Sequence, residues 1–144
     1  MYYIDVGENE NVDLDFVEKS LDKILAYLKE NGDFSLNFID DDEIKDLNSK
    51  YRNIDSPTDI LTFRLNDDDL FPQLEEEEKE LGDIFISIDS MKRNATEFGA
   101  TENDELRRLL LHGILHLRGL DHKTNDFNTE PMLIEQERIL KEIF

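Results

Sequence analysis

All three histidines of this chain fall in one stretch, Leu106 to His122, which reads LRRLLLHGILHLRGLDH. His112 and His116 are four residues apart in a leucine-rich run, so on a helix they stack on one face, one turn apart. Gly119 follows three residues later, where such a helix would stop, because glycine tolerates the left-handed conformation at C′. The chain can then fold back and bring up His122 as a third imidazole. Three neutral imidazoles around one point leave a fourth position open, the donor set of a catalytic zinc site rather than of a closed structural one. The plainer alternative for a single histidine on an apolar helix face is a core residue bonded to a carbonyl. Three of them, with a glycine stop in place and no histidine elsewhere, favour metal binding at His112, His116 and His122.

The spacing His-x3-His-x2-Gly-x2-His is that of metzincin-type zinc sites without their glutamate. In those enzymes a glutamate directly after the first histidine is the general base. Here that position is Gly113, so a protease of that type is not expected. Zinc on three imidazoles brings the pKa of bound water to about 7, which makes a nucleophile available at neutral pH. Asp121, beside the third histidine, either orients His122 or accepts a proton through water, or else it caps the turn after Gly119. Arg52 lies at a predicted helix end before a proline turn, where a guanidinium can reach into a cleft and bind phosphate in bidentate fashion. Its alternative is an ion pair with Asp55 or Asp59. Cysteine is absent, which leaves imidazole and carboxylate as the strong ligands. Imidazole sites also accept nickel, copper or iron.

These residues need a frame. Tyr2–Val6 reads as a short strand, and Phe16, Val17, Leu21, Ile24, Leu25 and Leu28 give helical periodicity over Asp13–Asn31, with Gly32 as its stop. Phe34–Ile39 alternates as a strand. Asp40–Glu43 is an acidic helix start, and Ile44, Leu47 and Tyr51 form the stripe behind it. A turn over Arg52–Pro57 leads to a strand at Asp59–Leu65, and Leu81–Ser87 resumes strand character. Ile88–Phe98 and Glu102–Leu117 read as helices, the second apolar nearly all round beyond Arg108 and so centrally buried. Thr129 can cap a last helix from Glu130 to Phe144, with Pro131 tolerated in its first turn. The order βαβαββααα predicts one α+β domain over 1–144, a small mixed four-stranded sheet packed with about five helices.

Residues 66–80 carry eight acids and one lysine. Such a block is a solvated loop, or alternatively an arm for a second metal or a partner. The chain has 144 residues, 38% hydrophobic and 36% charged, enough for a domain with a real core. Its 36 acids against 16 bases leave a net charge of −20, which argues against broad, non-specific nucleic-acid binding. A local basic pocket, or a bound dication, can still attract phosphate. No apolar run reaches membrane-spanning length, and the N-terminus lacks the features of a signal peptide, so a cytoplasmic protein is expected.

His112-Gly-Ile-Leu-His116-Leu-Arg-Gly119-Leu-Asp121-His122 resembles the signature of the YbeY family of bacterial rRNA-maturation endoribonucleases. Three further segments fit in order: Leu47-Asn-Ser-Lys-Tyr-Arg52, Pro57-Thr-Asp-Ile-Leu-Thr-Phe63 and Leu81-Gly-Asp-Ile84. The resemblance spans essentially the whole chain. It implies a histidine helix cradled by a mixed sheet, one Zn2+ per chain on His112, His116 and His122, and Arg52 as the functional arginine of the cleft. It implies cleavage of single-stranded RNA in 16S rRNA 3′-end maturation and small-subunit quality control, with rRNA and the small ribosomal subunit as partners and no organic cofactor. Leu120 stands where the family usually has Tyr, and Arg64 where it usually has Pro. Arg64 either adds positive charge near the site or is simply exposed. Two other functions compete: a ribosome-assembly factor whose zinc is mainly structural, and a metal-dependent hydrolase of another substrate.

Overall fold

The computed structural model describes residues 1–8, 10–65 and 80–144. The elements run β1 (Tyr2–Val6), α1 (Leu14–Leu28), β2 (Asp33–Ile39), α2 (Asp41–Arg52), β3 (Ile60–Arg64), β4 (Glu80–Ser87), α3 (Ile88–Phe98), α4 (Glu102–Leu117) and α5 (Pro131–Ile143). Their order is the one the hydrophobic periodicities predict. The sheet has the order β1-β2-β4-β3, with β1, β2 and β4 parallel and β3 antiparallel to β4. It is an α+β domain with five helices among the described residues.

Alternation on the strands separates two faces. Phe34, Leu36 and Phe38 of β2, with Ile84 and Ile86 of β4, point into the main core with α1, α4 and α5. The other face, at the β3–β4 end, carries Leu61, Phe63 and Phe85, covered by Ile44 and Leu47 of α2. Helix α4 is the centre of the main core. Leu106, Leu109, Leu110, Leu111, Gly113, Ile114, Leu115 and Leu117 are all buried, so the helix has little solvent face beyond its start. Ile60 on β3 and Ile84 on β4 lie directly against Gly113.

Helix ends decide where the site residues sit. Asp40 caps α2, its carboxylate accepting from the Glu43 N–H at 2.8 Å, and Asn53 closes it in the left-handed region at φ 60°. Arg52 is thus the last helical residue. Two expectations about ends need correcting. Helix α1 stops at Leu28 rather than near Gly32, because Lys29 takes φ 54° and the Lys29 and Glu30 N–H groups bond back to Ala26 and Leu25. Gly32 serves close approach instead: a Cβ there would lie 2.6 Å from Leu81 Cγ. Thr129 does not cap α5. Glu130 is the cap residue and makes no side-chain cap bond, since its carboxylate accepts from the Thr124 N–H and hydroxyl, both at 3.0 Å. Pro131 does occupy the first turn, where its missing N–H has no partner to lose. The acidic block at 66–80 lies outside the described residues apart from Glu80, which begins β4. Among the described residues no helix is long and apolar enough to cross a membrane.

Candidate functional site

Helix α4 ends in a Schellman turn. The Gly119 N–H bonds to the His116 carbonyl at 2.9 Å and the Leu120 N–H to the Leu115 carbonyl at 3.1 Å, with Gly119 at φ 99°. This reversal carries His122 back over the face that holds His112 and His116. The three imidazole centroids lie 4.6, 5.2 and 5.3 Å from one another. One ring nitrogen from each falls within a 4.8 Å group. The structure brings together all three predicted ligands.

Each ring is fixed through its other nitrogen. His112 Nδ1 faces the Gln136 Oε1 at 2.7 Å, His116 Nδ1 the Leu120 carbonyl at 3.0 Å, and His122 Nδ1 the Thr124 carbonyl at 2.7 Å. A carbonyl oxygen can only accept, so Nδ1 carries the proton in all three rings. Every Nε2 therefore offers a lone pair, and those of His112 and His116 are 3.0 Å apart. Converging lone pairs repel unless a cation lies among them. The donor set and its outer hydrogen bonds fit a divalent metal of the zinc type. Burial, reinforced by the other two histidines, pushes His116 down to about 4, and burial also lowers His112. Both are neutral at physiological pH, as ligands must be.

Gly113 explains the missing glutamate. A Cβ at this position would lie 3.0 Å from Ile84 Cδ1 and 3.1 Å from Ile60 Cδ1. The residue after the first histidine is a packing position on the sheet, closed to a carboxylate.

A cleft of about 1110 Å³ opens over the histidines, walled by β3 on one side and by the loop between α4 and α5 on the other. Arg52 lines it. Its Nη2 donates to the Thr62 carbonyl at 2.8 Å and its guanidinium lies over the Phe63 ring, 5.3 Å from the centroid. The arginine is thus braced on β3 by a main-chain acceptor and an aromatic face, not by Asp55 or Asp59. Arg64, at the end of β3, also lines the cleft and lies across Gly119, with Nη2 3.0 Å from where a Cβ would stand. Arg64 is exposed as well as lining the cleft, so its position is compatible with both readings. Asp121 is exposed. Its carboxylate accepts from the His122 N–H at 2.8 Å and stands 3.9 Å from His116 Nδ1. It holds the backbone of the third histidine rather than its ring.

The cleft also holds groups that sequence reasoning passed over. Gln136 is 1% exposed, in the buried stripe of α5 with Met132, Leu133 and Ile139. A lone amide in such a stripe is a signal the sequence did contain. The Thr124 and Leu120 carbonyls left none, because every residue has one. At the other end of the cleft, Arg108 donates to Glu137 at 2.7 Å and to the buried Glu105 at 2.8 Å. Burial pushes both Asp59 and Glu105 up, with His112 and Arg108 respectively pulling against it. Asp59 accepts from the Asn94 amide at 3.0 Å.

Known proteins are similar to this chain over nearly its whole length. The family model for endoribonuclease YbeY matches residues 4–144. A Treponema denticola protein named endoribonuclease YbeY is 44% identical over 126 residues, 87% of this chain and 81% of the relative. One of the same name from Borreliella burgdorferi is 42% identical over 142 residues, 94% of this chain and 87% of its own. The solution structure of a Thermotoga maritima protein superposes with a TM-score of 0.65 at 32% identity, covering 99% of this chain and 89% of that one.

Proposed function

This chain belongs to the endoribonuclease YbeY family, and from that premise we propose that it is a zinc-dependent endoribonuclease that cuts single-stranded RNA. Its proposed work is 16S rRNA 3′-end maturation and small-subunit quality control in the cytoplasm, on rRNA carried by the small ribosomal subunit. The observation that carries the reading is the convergence of three Nε2 lone pairs on the floor of a cleft whose wall bears Arg52.

His112, His116 and His122 would hold one Zn2+. When bound, the metal would supply Lewis acidity and water activation at neutral pH. Arg52 is the residue for the phosphodiester. One of its terminal nitrogens is spent on Thr62, which fixes the direction of the fork, and the remaining N–H groups are aimed at charge that grows on phosphate oxygens. Asp121 keeps His122 in place through its backbone, and its exposed carboxylate serves as a proton acceptor through water. The net charge of −20 disfavours capture of free RNA, so delivery by the subunit is part of the proposal.

The buried Gly113 leaves the site without the usual carboxylate base, which is what a ribosome-assembly factor with a mainly structural zinc would also show. Arg52→Ala separates the two. It should spare folding, zinc content and subunit binding while lowering cleavage by about 10²–10³, the usual loss for one preorganised donor. Unchanged cleavage would remove Arg52 from the chemistry.

A further inference from the structure

We propose that Gln136 is the positioning residue that fixes His112 as an Nε2 ligand and so sets how tightly this site holds its metal, an inference that rests on the metal-binding reading above. Among the three anchors of the histidine rings, two are main-chain carbonyls, Leu120 and Thr124, set by the turn and loop that follow α4. The third is the side chain of Gln136, 24 residues from its partner and on a separate helix. It is the anchor whose chemistry a single substitution can change.

The geometry is well defined. Gln136 Oε1 lies 2.7 Å from His112 Nδ1, and Gln136 is 1% exposed. The amide is thus the acceptor set against the His112 Nδ1–H. Without it, the His112 ring loses the bond that holds both its tilt and its tautomer. In the other tautomer the Nε2 proton would point at His116 Nε2, 3.0 Å away, in the space where the metal belongs. The neighbour Glu137 adds a second constraint on the same helix. It accepts from Arg108, which sits one turn before His112 on α4, so α5 is tied to α4 just below the ligand. Helix α5 therefore works as the back wall of the metal site.

The charge of the anchor has its own consequence. A neutral amide accepts the Nδ1–H and leaves the imidazole neutral. A carboxylate in its place would draw that proton further from the ring and make Nε2 more basic. Outer hydrogen-bond partners of this kind typically change metal affinity by about 10- to 100-fold when removed. Gln136→Leu and Gln136→Glu should thus move affinity in opposite directions, although both change the same buried position.

The test is competition for Zn2+ between the full-length protein and a chromophoric chelator at neutral pH, with folding checked by circular dichroism. Wild type, Gln136→Leu and Gln136→Glu are compared, and the visible spectrum of the Co2+ form reports ligand geometry. The expected result is about 10- to 100-fold weaker zinc retention and an altered cobalt spectrum for Gln136→Leu. Gln136→Glu should retain zinc at least as tightly as wild type. Wild-type affinity in a folded Gln136→Leu protein would overturn the proposal, as would equal weakening in both variants, which would mark Gln136 as packing only. If Gln136→Leu does not fold, Gln136→Glu decides alone: retention at least as tight as wild type supports the proposal, weakening overturns it. None of these readouts involves RNA, so failure of the endoribonuclease reading would show separately, as zinc-loaded wild type that does not cut.

Discussion

A Cβ on Gly113 would lie 3.0 Å from Ile84 Cδ1, which makes the position after the first histidine part of the helix–sheet contact. Alanine in a helix gains roughly 0.5–1 kcal/mol over glycine. Overpacking a filled core costs about 1–3 kcal/mol. Ile84 and Ile60 are both pressed by the same added methyl, so the second term should win. Gly113→Ala is expected to lower thermal stability by a few degrees, measured by differential scanning calorimetry. A rise in Tm would mean that the two isoleucines yield and the contact is loose.

Gly119 carries two duties, a φ of 99° and a guanidinium lying on the site of its missing Cβ. A left-handed backbone costs an ordinary residue roughly 1–2 kcal/mol. Gly119→Ala should therefore lose about that much stability. It should also loosen zinc, because the Leu120 carbonyl that anchors His116 belongs to the same turn. Chelator competition and a melting curve read the two effects separately. Stability lost with zinc affinity unchanged would show that the turn does not position His116.

Metal binding should stabilise the fold by mass action. At a free Zn2+ concentration of 100 times Kd the gain is about 2.7 kcal/mol. Wild type is expected to melt several degrees higher with zinc than with chelator, and His116→Ala should show no such difference. Purified wild type should carry one zinc per chain, which the variant loses. An equal zinc shift in His116→Ala would mean that the metal binds elsewhere.

Asp41 sits where α2 meets α3. Burial alone would raise its carboxyl, but the Ser87 and Ser90 hydroxyls, both at 2.7 Å, and Arg93, also at 2.7 Å, hold it below its usual range. A group depressed on folding contributes stability above its unfolded pKa, about 3.9 for aspartate, and loses it as pH falls through the folded value. Asp41→Asn should cost about 1.5–3 kcal/mol at neutral pH, the scale of hydrogen bonds to a charged group. The gap between variant and wild type should close as pH falls below about 4. A gap that stays constant down to low pH would show that the contacts do not depend on the charge.

Much of this frame was legible in the chain. Nine elements follow from periodicity, and the histidine spacing with Gly119 predicts the turn that closes the site. What escaped were contacts without a local signature. The α1 stop falls on Lys29, a non-glycine residue whose αL conformation is held by the Schellman bonds around it and leaves no glycine as a signal. Thr129 has the right chemistry for a cap, yet Glu130 takes the place, with its carboxylate engaged by Thr124 rather than by the helix. Strand periodicity shows which face of β2 is buried, but not that β4 inserts between β2 and β3. The brace of Arg52 on Thr62 is a side-chain bond to a main-chain carbonyl ten residues on, invisible until β3 is placed beside α2.

The proposal to test first is that the three histidines hold a metal used to cut RNA. Its most direct test is cleavage of precursor 16S rRNA within isolated small subunits by chelator-stripped protein, before and after one equivalent of Zn2+ is restored. No cutting is expected from the stripped protein, endonucleolytic cutting when zinc is returned, and none from His116→Ala under either condition. Full zinc occupancy without any cut on the subunit would contradict it.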